Sequence, residues 1–303
     1  MGFISRLQHF IKHHAPRLTH RGSHIIACNQ HPISQRDISK NALKVLYRLK
    51  DAGFEALLVG GGVRDLLLDS HPKDFDIATD AHPEQVHQLF GNSLLIGRRF
   101  RLVHVRFGRE VIEVATFRAN HSQHNQANSH QSESGMLLRD NVYGTIREDA
   151  QRRDFTINAL YYNINGSVIH DFTNGFQDIG KRKICMIGNP AARYREDPVR
   201  MLRAVRFAAK LDFTIDPPTA EPINQLGILL ADIPVARMFE EVLKLLLTGQ
   251  GEKTYRLLRH YGLFQYLFPA TDRSIERDQS TVNLTENMIL QVLRNADDRI
   301  GQG

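Results

Sequence analysis

A short apolar run that ends in three consecutive glycines most constrains the fold of this chain. The run covers residues 56–59, and Gly60, Gly61 and Gly62 follow it directly. This pattern predicts a buried strand that turns sharply at the glycines into a helix over 63–68. Backbone N–H groups at such a turn can meet a phosphate. The segment therefore predicts one wall of a nucleotide site on an α/β sheet.

Two aspartates, Asp74 and Asp76, follow in a predicted strand over 74–79. Residues i and i+2 of a strand point the same way, so both carboxylates would project from one sheet face. Adjacent carboxylates repel each other and are unfavourable when buried, unless a cation lies between them. Together with the glycine turn, the pair predicts a site for magnesium and phosphate. An exposed Asp-x-Asp beside an unrelated turn is the alternative.

The composition is that of a globular protein with a preference for polyanions. Of 303 residues, 42% are hydrophobic and 24% are charged, which is enough for two or three domains with a core. We expect neither a membrane-spanning run nor a secretory signal, and the two distant cysteines predict a reducing cytoplasm. The net charge of +6 favours a nucleic-acid partner without establishing one.

Apolar spacing divides the chain into regular elements. Helices are predicted over 39–49 and 83–90, and a hairpin over 102–107 and 111–117. A further helix is predicted from Asp149, as its cap, to residue 160, followed by turns and strands over 163–187. Every segment from Asp197 onwards is predicted to be helical.

Two segments stand outside this pattern. Residues 1–32 are basic, and apolar residues recur at helical spacing near their start, so this lead-in is interpreted as a frayed tail or as an amphipathic helix lying on a membrane surface. Residues 119–134 are rich in Asn, Gln and His and predict a surface loop. The three histidines of this loop are not expected to form a metal site.

Glu113 is a third candidate carboxylate, in the middle of the apolar run 111–117. A charged side chain in such a strand needs a partner. If this strand neighbours the one that carries Asp74 and Asp76, Glu113 would support a metal or accept a proton. If the strand lies at an edge, Glu113 faces water.

A polar cluster marks residues 152–158, which are predicted to begin a helix. Asp154 and Asn158 are four residues apart and would share a helix face, with Arg153 beside them. Such a cluster can hydrogen-bond ribose hydroxyls and neutralise a triphosphate, although an ordinary capped helix is the alternative.

A later helix has a basic front and an apolar back. Asp197 is predicted as its N-cap and Pro198 as its first residue. An Asp–Arg pair such as Asp197 and Arg200 matches adenine, since a carboxylate accepts from N6 and a guanidinium donates to N1. Fixed polar groups can select a base strongly, because the wrong base leaves them unpaired. A solvated basic face is the alternative. The basic positions are Arg200, Arg203, Arg206 and Lys210.

Taken in order, these motifs resemble those of the class II tRNA nucleotidyltransferase and bacterial poly(A) polymerase family. The resemblance covers about residues 33–270 and rests on residues 58–65, 74–76, 152–160 and 196–200, with 237–241 similar to the next helical motif of the family. It implies an α+β fold, with a mixed-sheet nucleotidyltransferase head over 33–188, a helical neck over 189–250 and the start of a helical RNA-binding body over 251–303.

The resemblance also implies the functional residues. Asp74 and Asp76 would hold two Mg²⁺ ions, and Glu113 would assist at the metal or accept a proton. The residues implied in binding the nucleotide are Gly60, Gly61 and Arg64 at the triphosphate, Arg152, Arg153, Asp154 and Asn158 around the ribose, and Glu196, Asp197, Arg200, Arg203 and Arg206 on the base-reading helix.

Within the family, residues 95–105 are similar to the signature that distinguishes bacterial poly(A) polymerases from CCA-adding relatives. Its arginines, Arg98, Arg99 and Arg101, would hold an RNA backbone without reading its bases. The resemblance thus implies template-independent addition of AMP from ATP to RNA 3′ ends, with the RNA-degradation machinery as a further partner. CCA addition to tRNA and a non-catalytic RNA-binding protein of the same fold are the alternatives. Family members extend further than Gly303, so the chain is either naturally short or a fragment.

Overall fold

The computed structural model of the protein describes residues 24–97, 101–119, 142–277 and 282–302. The predictions for residues 1–23, for Arg98 and Arg99, and for nearly all of the His-rich segment 119–134 lie outside the described residues. The chain divides into two compact units, and the change falls between Lys181 and Arg182. The three-part domain division stays a prediction.

Eight strands of the first unit, counted over the described residues, form one mixed sheet. They are β1 (His24–Ile26), β2 (Ala56–Val59), β3 (Asp76–Thr79), β4 (Ser93–Ile96), β5 (Leu102–Phe107), β6 (Glu110–Thr116), β7 (Leu160–Asn163) and β8 (Val168–Asp171). Their spatial order is β1-β8-β7-β2-β3-β6-β5-β4. β3 and β6 run parallel, and the other neighbouring strands run antiparallel. The predicted hairpin is confirmed as β5 and β6.

Five helices of the first unit are described: α1 (Lys40–Asp51), α2 (Gly61–Leu67), α3 (Pro83–Leu89), α4 (Ile146–Arg152) and α5 (Gly175–Lys181). The helix predicted over 39–49 is confirmed as α1, and its first turn is capped because the Ser39 hydroxyl accepts a hydrogen bond from the Ala42 N–H at 3.0 Å. Its buried face, formed by Ala42, Val45, Leu46 and Leu49, is fully shielded from water.

The described part of the second unit is almost entirely helical, as predicted. Its helices are α6 (Pro190–Glu196), α7 (Val199–Leu211), α8 (Pro217–Ala220), α9 (Ile223–Leu226), α10 (Val235–Leu246), α11 (Gly251–His260), α12 (Phe264–Leu267), α13 (Pro269–Arg277) and α14 (Val282–Gln302). One exception is the short parallel pair of β9 (Lys183–Ile184) and β10 (Thr214–Ile215). Across the described residues, no helix combines the length and apolarity needed to span a bilayer.

The strand predicted over 74–79 begins later, at Asp76. β3 pairs with β2 from Thr79 back to Asp76, which lies opposite Val59. Beyond Val59 the glycines leave the sheet and start α2. Because the partner strand ends there, Asp74 has no strand to pair with and lies exposed before β3.

The helix predicted over 149–160 is wrong. Thr145 caps α4, its hydroxyl accepting from the Glu148 N–H, so Asp149 lies inside the helix, where it is buried. The helix ends at Arg152, a short 3₁₀ helix follows (Thr156–Asn158), and Leu160 begins β7. Tyr161 and Tyr162 are buried in this strand beside β2, and aromatic residues favour such a position over a helix.

The last part of the basic lead-in belongs to the sheet. Residues 24–26 form the edge strand β1, in register with β8, and Ile26 is buried. This strand has three residues, which is too few for a sequence pattern to reveal it.

Gly175 offers a test of how closely α5 packs against the 3₁₀ helix. A Cβ atom at this position would lie 2.1 Å from the Thr156 carbonyl oxygen. We expect Gly175→Ala to lower the free energy of unfolding by about 3 kcal/mol, because a backbone atom cannot move aside as a side chain can. Urea denaturation measures the change. Gly91→Ala, whose added Cβ meets nothing within 4 Å, is the control, and equal midpoints for the two variants would contradict the prediction.

Candidate active site

The sheet register aligns polar side chains in one row. Asp76 lies opposite Glu113, and Glu113 lies opposite His104. On the other side, Asp76 lies opposite Val59, and Val59 lies opposite Tyr161. Directly opposed residues point to the same sheet face. Since β6 has a neighbour on each side, Glu113 is not an edge residue, and it shares its face with Asp76.

Asp76 has an unfavourable environment for its negative charge. Burial raises the pKa of its carboxyl to about 6, with the charges of Glu113 and Asp74 acting in the same direction and that of Arg153 opposing them. On β5, the strand on the other side of β6 from Asp76, His104 Nε2 lies 3.6 Å from Glu113 Oε2. A cation beside Asp76 would relieve this accumulation of negative charge.

The carboxylates fit a hard divalent cation that takes part of its ligands from a substrate. In the part of the chain that the structure describes, no group of three or more His, Cys, Asp or Glu residues could hold a metal by itself. Mg²⁺ at phosphate-handling sites uses one or two carboxylates, and water and phosphate oxygens complete its shell. Asp74 and Asp76 provide oxygen donors of that kind and number.

Gly60 brings the backbone close to two opposite charges. Its φ of 75° and ψ of −138° form a backbone conformation that residues other than glycine rarely adopt. A Cβ atom there would lie 3.6 Å from Asp76 Oδ2 and 3.7 Å from Arg153 Nη1. Asp76 and Arg153 therefore converge where β2 ends.

Asp149 holds Arg153 in place. Arg153 Nε and Nη2 donate to Asp149 Oδ2 at 3.2 and 3.0 Å, and Arg153 Nε also lies 2.9 Å from the Tyr161 hydroxyl. That hydroxyl donates to Asp149 Oδ2 at 2.6 Å, and Arg152 Nε donates to Asp149 Oδ1 at 3.2 Å. Burial alone would raise the pKa of Asp149, but Arg153 and Arg152 hold it at about 2.

A second chain of hydrogen bonds links α2 to the 3₁₀ helix. Arg64 is buried, and its Nη1 donates to Asn158 Oδ1 at 2.6 Å while its Nε donates to Asp65 Oδ1 at 2.8 Å. Asn158 Nδ2 in turn donates to Asp154 Oδ1 at 3.3 Å. Asp154 and Asn158 thus meet as predicted, though without the continuous helix on which that prediction rested. Contact of Arg64 with a triphosphate stays a prediction.

The remaining arginine of the basic signature is engaged at the surface. Arg101 donates to Glu84, and both side chains are about half exposed. Arg98 and Arg99 are outside the described residues, so RNA binding by this segment stays a prediction.

In the second unit, the junction of α6 and α7 carries the predicted base-reading residues. Glu196 Oε2 accepts from Arg193 Nη1 at 2.7 Å and from Arg200 Nη1 at 2.9 Å. Asp197 Oδ1 accepts from the Val199 N–H at 3.3 Å. The Asp197 carboxylate therefore bonds the first N–H of α7, but Pro198 and not Asp197 takes the N-cap position, because the helix begins at Val199, one residue later than expected.

Asp197 and Arg200 have different partners. The Asp197 carboxylate accepts from Arg237 Nη2 at 2.8 Å, so it is tied to α10. On the basic side of α7, Arg203 and Arg206 lie over the Phe207 ring, at 5.4 and 5.3 Å from its centroid. The expected apolar back is confirmed, since Met201, Leu202 and Val205 are fully buried.

Three residues of these networks are not predicted from the sequence to belong to the site. The sequence predicts Asp149 only as a helix cap, and it predicts no role for Tyr161, which follows the predicted helix, or for Arg193. A signal for Asp149 exists, since it precedes Arg152 and Arg153 by three and four residues, the spacing of helical ion pairs. Tyr161 is revealed only by the pairing of β7 with β2.

The mixed sheet, the glycine turn and the carboxylate row define a nucleotidyltransferase-type head. Residues 56–185 match the family profile described as Poly A polymerase head domain. Residues 212–275 match the profile described as Probable RNA and SrmB- binding site of polymerase A. The first profile falls mainly in the first unit, and the second profile falls within the second unit.

Full-length relatives agree with these profiles. The chain is 59% identical over 278 residues to Poly(A) polymerase I of Salmonella typhimurium strain LT2, and 54% identical to Poly(A) polymerase I of Haemophilus influenzae. Each alignment covers 91% of this chain, but only 59% and 61% of the two relatives. A CCA-adding enzyme of Lactobacillus helveticus is 39% identical over 73% of the chain and 53% of that enzyme.

A solved structure is similar over most of the chain. It is the Bacillus stearothermophilus CCA-adding enzyme in complex with CTP, with a TM-score of 0.66 and 30% identity over 86% of this chain and 68% of that one. The chain belongs to the family of bacterial poly(A) polymerases and class II tRNA nucleotidyltransferases. The predicted fold class, a mixed-sheet head followed by helices, is confirmed.

Replacing Asp149 tests the cluster that holds Arg153. We expect Asp149→Asn to lower the free energy of unfolding by about 2–4 kcal/mol, because the half-buried Arg153 loses its charged partner. The pKa of Asp149 is below its ordinary value of 3.8, so this stabilisation is complete above about pH 4 and is lost as the pH falls through about 2. The difference between wild type and variant should shrink over that interval in urea titrations.

The control for Asp149→Asn is Glu84→Gln, which removes the partner of Arg101 at an exposed site. We expect a loss below about 1 kcal/mol there. Equal losses in the two variants would contradict the structural role of Asp149.

Proposed function

We propose that this chain transfers AMP from ATP to the 3′-hydroxyl of RNA without a template and releases pyrophosphate. One observation carries the proposal: Asp76, with a carboxyl pKa raised to about 6, lies opposite Glu113 and next to the glycine turn. Identities of 54–59% to proteins named Poly(A) polymerase I support the choice of RNA tailing over other nucleotidyl transfers. Because the chain spans only 59–61% of those proteins, the activity of the whole protein is part of the proposal.

Mg²⁺ is the proposed cofactor, as two ions held by Asp74 and Asp76 together with substrate oxygens. When bound, these ions would lower the pKa of the attacking hydroxyl and neutralise charge on the triphosphate. Glu113 adds negative charge beside Asp76 and would accept the proton that the hydroxyl releases.

Arg153, whose guanidinium lies beside Gly60, is proposed to bind the nucleotide. Its guanidinium is held by Asp149 and Tyr161, so little side-chain entropy is lost when it meets a ribose or a phosphate. Asp154 would accept from ribose hydroxyls, with Asn158 and Arg64 keeping its carboxylate oriented. Gly60 and Gly61 would let the triphosphate approach the backbone.

Asp197 and Arg200 are proposed to select adenine. Both are anchored in the second unit by other charges, Asp197 by Arg237 and Arg200 by Glu196. Anchored groups discriminate because a base that does not match them leaves polar atoms unpaired. Arg203 and Arg206 extend the positive side of α7 and would favour an anionic nucleotide.

Further parts of the proposal concern the setting of the reaction. RNA 3′ ends are the proposed polymer substrate, with Arg98, Arg99 and Arg101 as backbone contacts, and the RNA-degradation machinery is a proposed partner. The proposed location is the cytoplasm, with the basic N-terminal segment able to touch a membrane surface.

Nucleotide incorporation tests the proposed reaction. We expect the chain, Mg²⁺ and labelled RNA to yield long products with ATP alone, and Asp76→Asn to lower the rate by about a thousandfold or more, since it removes a charged metal ligand. Asp69→Asn, an exposed carboxylate after α2 whose φ of 57° suits Asn, should remain fully active. CTP incorporation that stops at three nucleotides would favour CCA addition instead. An inactive wild type that still binds RNA would favour the non-catalytic alternative.

Base selection has a separate test in the second unit. We expect Arg237→Ala to reduce the preference of kcat/KM for ATP over CTP by at least about tenfold, because Asp197 loses the partner that orients it. Arg237→Lys should restore part of this preference, since it keeps the charge. Arg256→Ala, which alters an exposed ion pair with Glu252, is the control. An unchanged preference in Arg237→Ala would contradict the role of Asp197.

A further inference from the structure

A groove in the first unit stands apart from the residues assigned so far. It opens to solvent, has a volume of about 510 Å³, and lies between α1 and the ends of α3 and β5. This volume is in the range of pockets that take small molecules or parts of a polymer.

The groove lies on the opposite face of the sheet from the carboxylate row. Phe107 forms one wall and belongs to the same strand as His104. Successive side chains of a strand alternate between the two faces, so residues three apart point to opposite sides. A ligand in the groove is therefore not the nucleotide at Asp76 and Glu113.

Three cations follow one side of α1 along the groove. Lys40, Lys44 and Arg48 recur at intervals of four residues, which aligns them on the helix, and all three are exposed. Among the described residues, none of the three has an ion-pair partner within 4.0 Å. Asp51 is the one acidic side chain among the lining residues, so the lining carries a net charge of +2 from three cations and one carboxylate.

The groove also has aromatic walls that are held in position. Lys44 Nζ lies 5.9 Å from the centroid of the Phe107 ring, and Arg48 Cζ lies 5.4 Å from that of Phe90. Tyr47 is 44% exposed and its hydroxyl donates to Gln35 Oε1 at 3.0 Å. Two of the cations thus lie over rings while they remain exposed to solvent, so this helix face combines accessible positive charge with aromatic surface.

Near its Phe107 end, the groove is braced by a bond between elements. The Asn41 amide donates to Glu110 Oε2 at 2.6 Å, which ties α1 to the start of β6. Glu110 is paired with Phe107 across the hairpin. The cations and the ring wall are therefore parts of one fixed arrangement.

We propose that this groove binds single-stranded RNA upstream of the reacting 3′ end. Cations that follow a backbone, next to exposed rings on which bases stack, are the combination that holds single strands without reading their sequence. The charge of the lining fits a polyanion, and the exposed Tyr47 and the half-buried Phe107 provide ring surface beside the cations. This proposal depends on the proposed function in one respect, the identity of the bound polymer as RNA.

Equilibrium binding in the absence of ATP tests the groove independently of catalysis. The probe is a labelled oligoadenylate of about 20 nucleotides, measured by fluorescence anisotropy at several salt concentrations. We expect Lys44→Ala/Arg48→Ala to weaken binding about five- to tenfold, and to flatten the slope of log K against log salt by about 1.4, from two phosphate contacts at about 0.7 each. Lys44→Arg/Arg48→Lys should restore both values, because phosphate contact requires the charge.

The control is Arg36→Ala/Lys181→Ala, which removes the same two charges from exposed positions of the first unit outside the groove. It should leave the slope unchanged, and thermal unfolding followed by circular dichroism should show all variants folded. Equal slopes for the groove variant and the control would overturn the proposal. So would a groove variant that binds RNA normally but no longer sediments with phosphatidylserine vesicles.

Varying the length of the RNA primer distinguishes RNA binding in the groove from the proposed reaction. The groove variant should extend an oligoadenylate of about 6 nucleotides as well as wild type does, and show a raised KM with unchanged kcat on the longer RNA. A wild type that adds no AMP contradicts the proposed function, yet the binding measurement still decides the groove.

Discussion

The ion pair of Asp149 and Arg153 is the interaction on which the candidate active site depends. Asp149 receives hydrogen bonds from Arg152, Arg153, Tyr161 and the Arg118 N–H, so one carboxylate joins α4, β7 and the segment after β6. Removing charges from water is unfavourable unless each finds a partner, and the cluster meets this condition. It also leaves Arg153 beside Gly60, where its positive charge acts on Asp76.

Sequence patterns predict this fold best where one local rule dominates. The run 56–59, the glycine turn and the helix α1 are each determined by neighbours in the chain, and all three appear as expected. The segment 149–160 fails because its outcome depends on β2, a strand about 100 residues earlier, against which Tyr161 and Tyr162 are buried. The spacing of apolar residues within one segment carries no information about a partner strand so distant in the chain.

The same distinction applies to the site. The sequence indicates that Glu113 lies in an apolar strand that could neighbour Asp76. The parallel pairing of β3 and β6 places the two residues opposite each other. The partners of Asp197 and Arg200 could not be predicted, because Arg237 is 40 residues beyond Asp197 and Glu196 satisfies two arginines at once. A motif identifies the polar residues at a site, whereas the fold decides which of them pair.

The parallel pairing of β3 and β6 has a consequence for the order in which the molecule folds. The two strands belong to separate antiparallel arrangements, β2 with β3 and β5 with β6, and the segment between them includes α3 and β4. Each arrangement can form from nearby residues, but their union requires closure of a longer loop, a slower event. The repulsion between Asp76 and Glu113 therefore arises only when the two arrangements join, and neither arrangement contains it while it forms by itself.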